Sequence, residues 1–233
     1  MKVNIAIDGL TASGKTSVGK LLAEQLQYQF IDSGLFYRYL GYNHSQETTI
    51  SDLIINLNTL KQQEDFLKQI QTIEKLSGQD YLYSGKRASE LSKNDELRRS
   101  INIIIQDITR EKGFVVVGRD TTTNILPNAE IKILLSADLG TRVDRRTQQF
   151  DLVTEINNVL LDVIKRDSSS ASLIYEARKV SENIDTTYLN LSEVVDVILS
   201  RVFQKIFKIK YEKYLRIFII LLFLLVVKFF STY

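Results

Sequence analysis

The chain has 233 residues with 30 basic and 28 acidic side chains, no Cys, one His and a single Pro. That is enough for one large domain or two small ones around a sizeable core, and it excludes disulfide scaffolds, thiolate zinc sites and multi-histidine centres, so any metal must be oxygen-bound. The charge is uneven: residues 201–233 carry seven basic side chains to one acid, whereas the first 200 carry 23 to 27, a mildly acidic body with no basic face for nucleic acid.

In chain order, residues 3–7 predict a buried strand, residues 15–27 a helix with Val18, Leu21, Leu22 and Leu26 on one face, and residues 30–32 a second short strand. Residues 50–76 are helical in apolar spacing (Leu53, Leu57, Leu60, Phe66, Ile70, Ile73), and Tyr81-Leu82-Tyr83 is expected to be a short strand. This stretch is an insertion on the core sheet. Farther on, residues 114–117, 131–135 and 182–185 predict strands, and residues 96–111, 138–150, 155–166 and 192–202 predict helices. Strands separated by helices imply right-handed crossovers, hence an α/β fold with a parallel sheet covered by helices on both faces.

The tail differs in composition. Ile217 to Val227 are eleven consecutive apolar residues behind a basic run of Arg201, Lys205, Lys208, Lys210, Lys213 and Arg216. Residues 217–233 would make about 25 Å of helix at ~1.5 Å per residue, a marginal membrane segment in which Lys228 could snorkel. The alternative is a core helix, but a helix apolar on every side must be buried on every side. The first residues lack a basic leader followed by a long apolar stretch. The expectation is a cytoplasmic body, attached by residues 217–233 to the cytoplasmic membrane face, with basic residues on the inner side.

The sharpest motif is Gly9-Leu10-Thr11-Ala12-Ser13-Gly14-Lys15-Thr16, which fits G-x-x-x-x-G-K-[ST] between the first strand and the first helix. Its backbone N–H groups can fold into an anion nest at a helix N-terminus, Lys15 can meet β- and γ-phosphates, and the Thr16 hydroxyl can face Mg²⁺. Asp32-Ser33-Gly34 with Arg38 follows the second strand, where Asp32 could order the metal and Arg38 a second phosphate; a capped turn is the plainer reading. Gly118-Arg119-Asp120 ends another buried strand. Arg142, Arg145 and Arg146 are close enough on one helix to repel unless a polyanion relieves them.

With Ile5-Ala6-Ile7-Asp8-Gly9, Leu126-Pro127, Lys165-Arg166-Asp167-Ser168-Ser169 and Ile184-Asp185-Thr186-Thr187, these motifs come in the order found in bacterial cytidylate kinases. The chain resembles that family over roughly residues 3–199. The resemblance implies transfer of the ATP γ-phosphoryl group to CMP or dCMP with Mg²⁺, on a P-loop core (residues 1–200) with a monophosphate-binding insertion (about 45–90), a lid (about 140–172) and an added tail (201–233). It implies ATP contacts from Gly9 through Ser17, with metal contacts from Thr16 and Asp32. It also implies monophosphate contacts from Ser33, Arg38 and Arg119, cytosine reading by Ser89, Arg98 and Asp120, a ribose contact from Asp167 beside Arg166, and catalytic roles for Lys15 and the lid arginines Arg145 and Arg146. The acceptor phosphate is itself the nucleophile, so no base is required and His44 has no role.

The chain departs from the family pattern at Leu10, where Pro is common, and at Thr122, where Gly is common. The lid pattern Arg-Asp-x-x-Arg also breaks at Ser170, with Arg178 too distant to compensate. Another acceptor, such as UMP, and a non-catalytic nucleotide-binding module remain open. Oligomeric state is not legible.

Overall fold

The computed structural model describes residues 2–150 and 156–231, with side chains for 2–149 and 156–220. Five parallel strands, β1 (Ile5–Gly9), β2 (Gln29–Asp32), β3 (Phe114–Gly118), β4 (Ile131–Ser136) and β5 (Glu182–Asp185), form one sheet in the order β2-β3-β1-β4-β5. The helices are α1 (Lys15–Leu26), α2 (Ser33–Asn43), α3 (Ile50–Lys61), α4 (Phe66–Gln71), α5 (Gly78–Leu91), α6 (Asp95–Ile108), α7 (Leu139–Phe150), α8 (Ile156–Ser169), α9 (Ala171–Val180) and α10 (Leu191–Ser231).

Alternation along the strands divides the core in two. Ile5, Ile7, Val115, Val117, Ile133 and Leu135 face α1 and the first part of α10, with Val18, Leu22, Val195, Ile198 and Val202. Ala6, Ile31 and Val116 face α2, α3, α4 and α6, meeting Phe36, Leu53, Leu57, Ile70, Leu97, Ile101 and Ile105. Most of these side chains are fully buried, and each is worth roughly 1.5–3 kcal/mol. Helices on both faces follow from strands that are apolar on both faces.

The helix expected over residues 96–111 is α6 followed by a short 3₁₀ turn, Thr109–Glu111; Asn94 sets its start by accepting a hydrogen bond from Leu97 N (2.9 Å). Tyr81-Leu82-Tyr83, expected as a strand, lies instead inside α5. The reason is a helical stripe of Tyr81, Ser84, Ala88 and Leu91, in which the fully buried Ser84 hides the period from an apolar count. Two helices went unforeseen. Asp32 accepts from Gly34 N (2.9 Å) and so caps α2, while α9 packs Ile174 and Ala177 on Leu134 and Leu10. Helices α7 and α8 form a hairpin with its own core of Val143, Val159 and Val163; Glu155, expected to open α8, lies outside the described residues.

The helix expected at residues 192–202 continues unbroken to Ser231. Val202 is buried, and Ile206 and Ile209 pack partly on the same core. From Lys210 to Ile220 every residue is exposed. Among the described residues no helix is long and apolar enough to cross a membrane; the side chains of residues 221–233, most of the apolar run, lie outside them.

Candidate active site

The phosphate loop leaves β1 at the centre of the sheet and enters α1 through Gly14, whose φ of 91° is a left-handed conformation open mainly to glycine. Ala12 shares that region at 59°, the kind of turn backbone from which anion nests are built. Lys15 Nζ donates to Leu10 O (2.9 Å). Burial first, then the Arg119 guanidinium, lowers its pKa to about 8, against the opposing pull of Asp32, Asp8 and Asp167. Thr16 Oγ1 donates to Asp32 Oδ2 (3.1 Å). Burial raises the Asp32 pKa, opposed chiefly by Gly34 N–H and Lys15. The expected hydroxyl–carboxylate pair is thus assembled, and Asp32 caps α2 as well.

β3 runs beside β1 with Asp8 opposite Gly118. A Cβ at Gly118 would come within 2.4 Å of both the Ser33 and Thr121 hydroxyls, so only glycine lets α2 and the segment after β3 converge there. The next turn is a π-helical segment, Thr121–Ile125, pinned by Asp8. Asp8 Oδ1 accepts from Thr121 N (2.8 Å), and Oδ2 accepts from Thr122 N (2.9 Å) and Thr122 Oγ1 (2.6 Å). Asp8 is fully buried; burial raises its pKa and the Thr122 and Thr121 bonds oppose the rise. Thr122, where the family commonly has Gly, therefore adds a hydrogen bond to a buried carboxylate.

That turn aims Arg119 and Asp120 in different directions. Asp120 is paired with Arg98 of α6, and the pair lines a cavity of about 450 Å³ along α6 with Asp95, Asn102, Gln106 and Asn124. Arg98 also donates to Ser92 O (2.9 Å), and the Ser92 hydroxyl donates to Ser89 O (3.2 Å). Ser89 itself is exposed on α5, joined to the pair only through this relay. Arg38 is turned toward α5, donating to Tyr81 O (3.1 Å) and Ser84 Oγ (3.0 Å) with its guanidinium 4.3 Å from the Tyr81 ring centre.

Arg119 points at the end of α8 and the phosphate loop. It donates to Arg166 O (2.8 Å), Ser170 Oγ (2.6 Å) and Thr11 Oγ1 (3.2 Å). Burial and then Arg166 lower its pKa, and burial and then Arg166 do the same to Arg146. Arg146 is also bonded to Tyr81 and lies 3.6 Å from Asp162, which takes the Arg166 Nε donor at 2.9 Å. Three guanidiniums thus lie near one another, and Arg119 carries the group to the phosphate loop at Thr11. Ser170, at the broken lid pattern, serves here as the seat of Arg119.

The other expected lid residues are used differently. Arg145 donates to Thr186 Oγ1 (2.9 Å) and Thr186 O (2.6 Å), and the Thr186 hydroxyl in turn lies 3.4 Å from Ser13 O. Asp167 accepts from Thr11 N (2.9 Å) and pairs with Arg142, which also donates to Thr11 O (3.1 Å) and Ala137 O (3.0 Å). Arg142 and Asp167 therefore latch the hairpin to the phosphate loop. In the sequence Arg142 stands out only as one of three crowded arginines, and Asp8 only as part of a motif. The visible signal for Asp8 is a carboxylate near the end of a strand that is otherwise apolar.

The profile of the family described as "Cytidylate kinase" matches residues 5–204. The chain is 34% identical over 216 residues to the cytidylate kinase of Mycoplasmopsis synoviae (strain 53), covering 86% of this chain and 98% of that protein. It is 33% identical over 227 residues to the cytidylate kinase of Bacillus subtilis (strain 168), covering 88% and 98%. Among solved structures, an uncharacterized protein from Eubacterium ventriosum ATCC 27560 is similar in fold, with a TM-score of 0.50, 16% identity, and coverage of 86% and 98%.

Proposed function

The chain belongs to the cytidylate kinase family, and from that premise we infer that it is an ATP-dependent phosphotransferase converting CMP or dCMP to CDP or dCDP, with release of ADP. The reading rests above all on the cluster of Arg119, Arg146 and Arg166, which Arg119 joins to the phosphate loop at Thr11. Three neighbouring cations that Asp162 and Asp167 only partly offset suit two phosphate groups meeting end to end.

Gly9 to Ser17 enclose the triphosphate of ATP, with Lys15 turning from Leu10 O to the β- and γ-phosphates. Mg²⁺ fits the Thr16 hydroxyl and the Asp32 carboxylate, both oxygen donors, and when bound neutralises charge between those phosphates. The acceptor base lies against Arg98 and Asp120, with Ser89 at the rim, and its phosphate lies toward Ser33, Arg38 and Arg119. An oxygen of that phosphate attacks the γ-phosphorus in line and the bond to the ADP oxygen breaks. Arg119, Arg146 and Arg166 hold the equatorial oxygens, and Arg145 steadies the loop through Thr186. Asp167, with its Arg142 latch, lies where the nucleotide sugar would pass. Catalysis is then positioning plus fixed positive charge. We place the body in the cytoplasm, with residues 217–233 free to contact the cytoplasmic face of a membrane.

A coupled ADP-release assay with CMP, dCMP, UMP and AMP tests the acceptor. CMP and dCMP should exceed UMP and AMP by about tenfold or more in kcat/KM, the scale of one buried polar pair left unmatched. Equal rates on UMP would remove the base-reading role of Arg98 and Asp120.

A further inference from the structure

We propose that the second half of α10 is a peripheral membrane anchor that lies against an anionic bilayer surface and enters one leaflet without crossing. This deepens the cytoplasmic placement above and is independent of the acceptor. The helix is bound to the body only as far as Ile209, through Val195, Ile198, Val202, Ile206 and Ile209. At about 100° per residue, Phe203, Phe207, Tyr211, Tyr214 and Phe218 fall within an arc of about 80°, turned well away from that body-facing side. All five are exposed, Phe207 by 73% and Tyr214 by 68%. By the same count Lys210 lies about 20° beyond one edge of this arc and Lys208 about 60° beyond the other.

An aromatic stripe edged by long cations suits the boundary between headgroups and acyl chains. Aromatic rings settle at that depth, and the cations reach outward to anionic headgroups while their stems stay on apolar surface. Beyond Arg216 the sequence is apolar on every side through Val227, the composition for entry into hydrocarbon. From Ile217 to Ser231 the described helix is about 22 Å long, against ~30 Å of bilayer core, and among the described residues no helix is long and apolar enough to cross.

A second copy of the chain is a poorer occupant. Parallel pairing of two such tails would stack seven basic residues per chain against one acid, and like charges at neighbouring positions oppose association. The family match ends at residue 204, so the stripe lies almost wholly outside the part shared with the relatives.

The chain has no Trp, so Phe218→Trp in the full chain gives a single indole fluorophore on the stripe. Parent and this variant should float with phosphatidylcholine vesicles containing about one third phosphatidylglycerol and much less with pure phosphatidylcholine. The indole emission should shift blue with the anionic vesicles and be quenched by shallowly brominated lipid. Ile219→Asp with Ile220→Asp, and separately Lys208→Glu with Lys210→Glu, should each lower flotation about tenfold while CMP phosphorylation stays within about twofold of the parent. The proposal is overturned if the parent stays with the soluble fraction, if the variants float equally well, or if the blue shift occurs in buffer with a doubled solution mass, which would assign the stripe to a second copy. A parent that fails to float yet phosphorylates CMP at a normal rate counts against the anchor alone. Lost rates with normal flotation count against the kinase reading alone.

Discussion

On the proposed function Lys15 needs its charge to hold phosphates, yet burial and the Arg119 guanidinium lower its pKa from 10.5 to about 8. The free enzyme therefore sheds this proton as pH rises through about 8, whereas bound phosphates favour the charged form and keep it. The kcat/KM for ATP should fall above pH 8 while kcat holds to higher pH. A flat kcat/KM profile from about pH 7 to 10 would separate Lys15 from nucleotide capture. Lys15→Ala should reduce turnover by about 10³-fold with an unchanged unfolding midpoint, since the ammonium acts on the transferring group. For the base, Arg98→Ala or Asp120→Ala should cost about 1 to 3 kcal/mol in kcat/KM for CMP and less for UMP. Equal losses for the two acceptors would mean the pair supports α6 and β3 and reads nothing.

Among the elements, the link between β1 and the π-helical turn is the least redundant. Asp8 satisfies two backbone donors and one hydroxyl in a fully buried setting. Asp8→Ala leaves them unpaired, which should lower stability by about 2 to 4 kcal/mol in denaturant unfolding. Because the same turn carries Asp120, the KM for CMP should rise more than the KM for ATP. An equal rise in both would show that the damage spreads through the phosphate loop. This coupling was not legible in the chain, because Asp8 and Thr122 meet only once β1 and β3 are paired. What could be read was local: the loop from Gly9 to Thr16 carries its own geometry, and the strands around Val116 and Ile133 announce themselves by being apolar on both faces. Helix α2 escaped notice because Asp32-Ser33-Gly34 looks like a turn until Asp32 is seen capping it. Arg38 and Ser89 were expected together at the acceptor, but α5 is a helix, which turns Ser89 outward and draws Arg38 to Tyr81 and Ser84.

At the scale of the molecule, the compositional and structural boundaries of α10 do not coincide. Composition changes at Arg201, but Val202, Ile206 and Ile209 still pack on the sheet. A chain ended at Ser200 should therefore lose several degrees of melting temperature, since burying one such side chain is worth roughly 1.5–3 kcal/mol. A chain ended at Lys210 should melt with the full-length protein and retain its kcat. Equal melting of both truncations would mean that the last turns on the core contribute nothing.

On the proposed function the donor loop grows from β1 and the acceptor turn from β3, and these strands are neighbours with Asp8 opposite Gly118. Adjacent strands lie about 4.8 Å apart because their backbone hydrogen bonds have one length. On that reading the gap the phosphoryl group must cross would be gauged by the ladder itself, like the jaws of a fixed spanner. Changes at Ser89, Arg98 or the lid can alter which nucleotide is gripped and how firmly, but the stride between the two grips is set by the sheet.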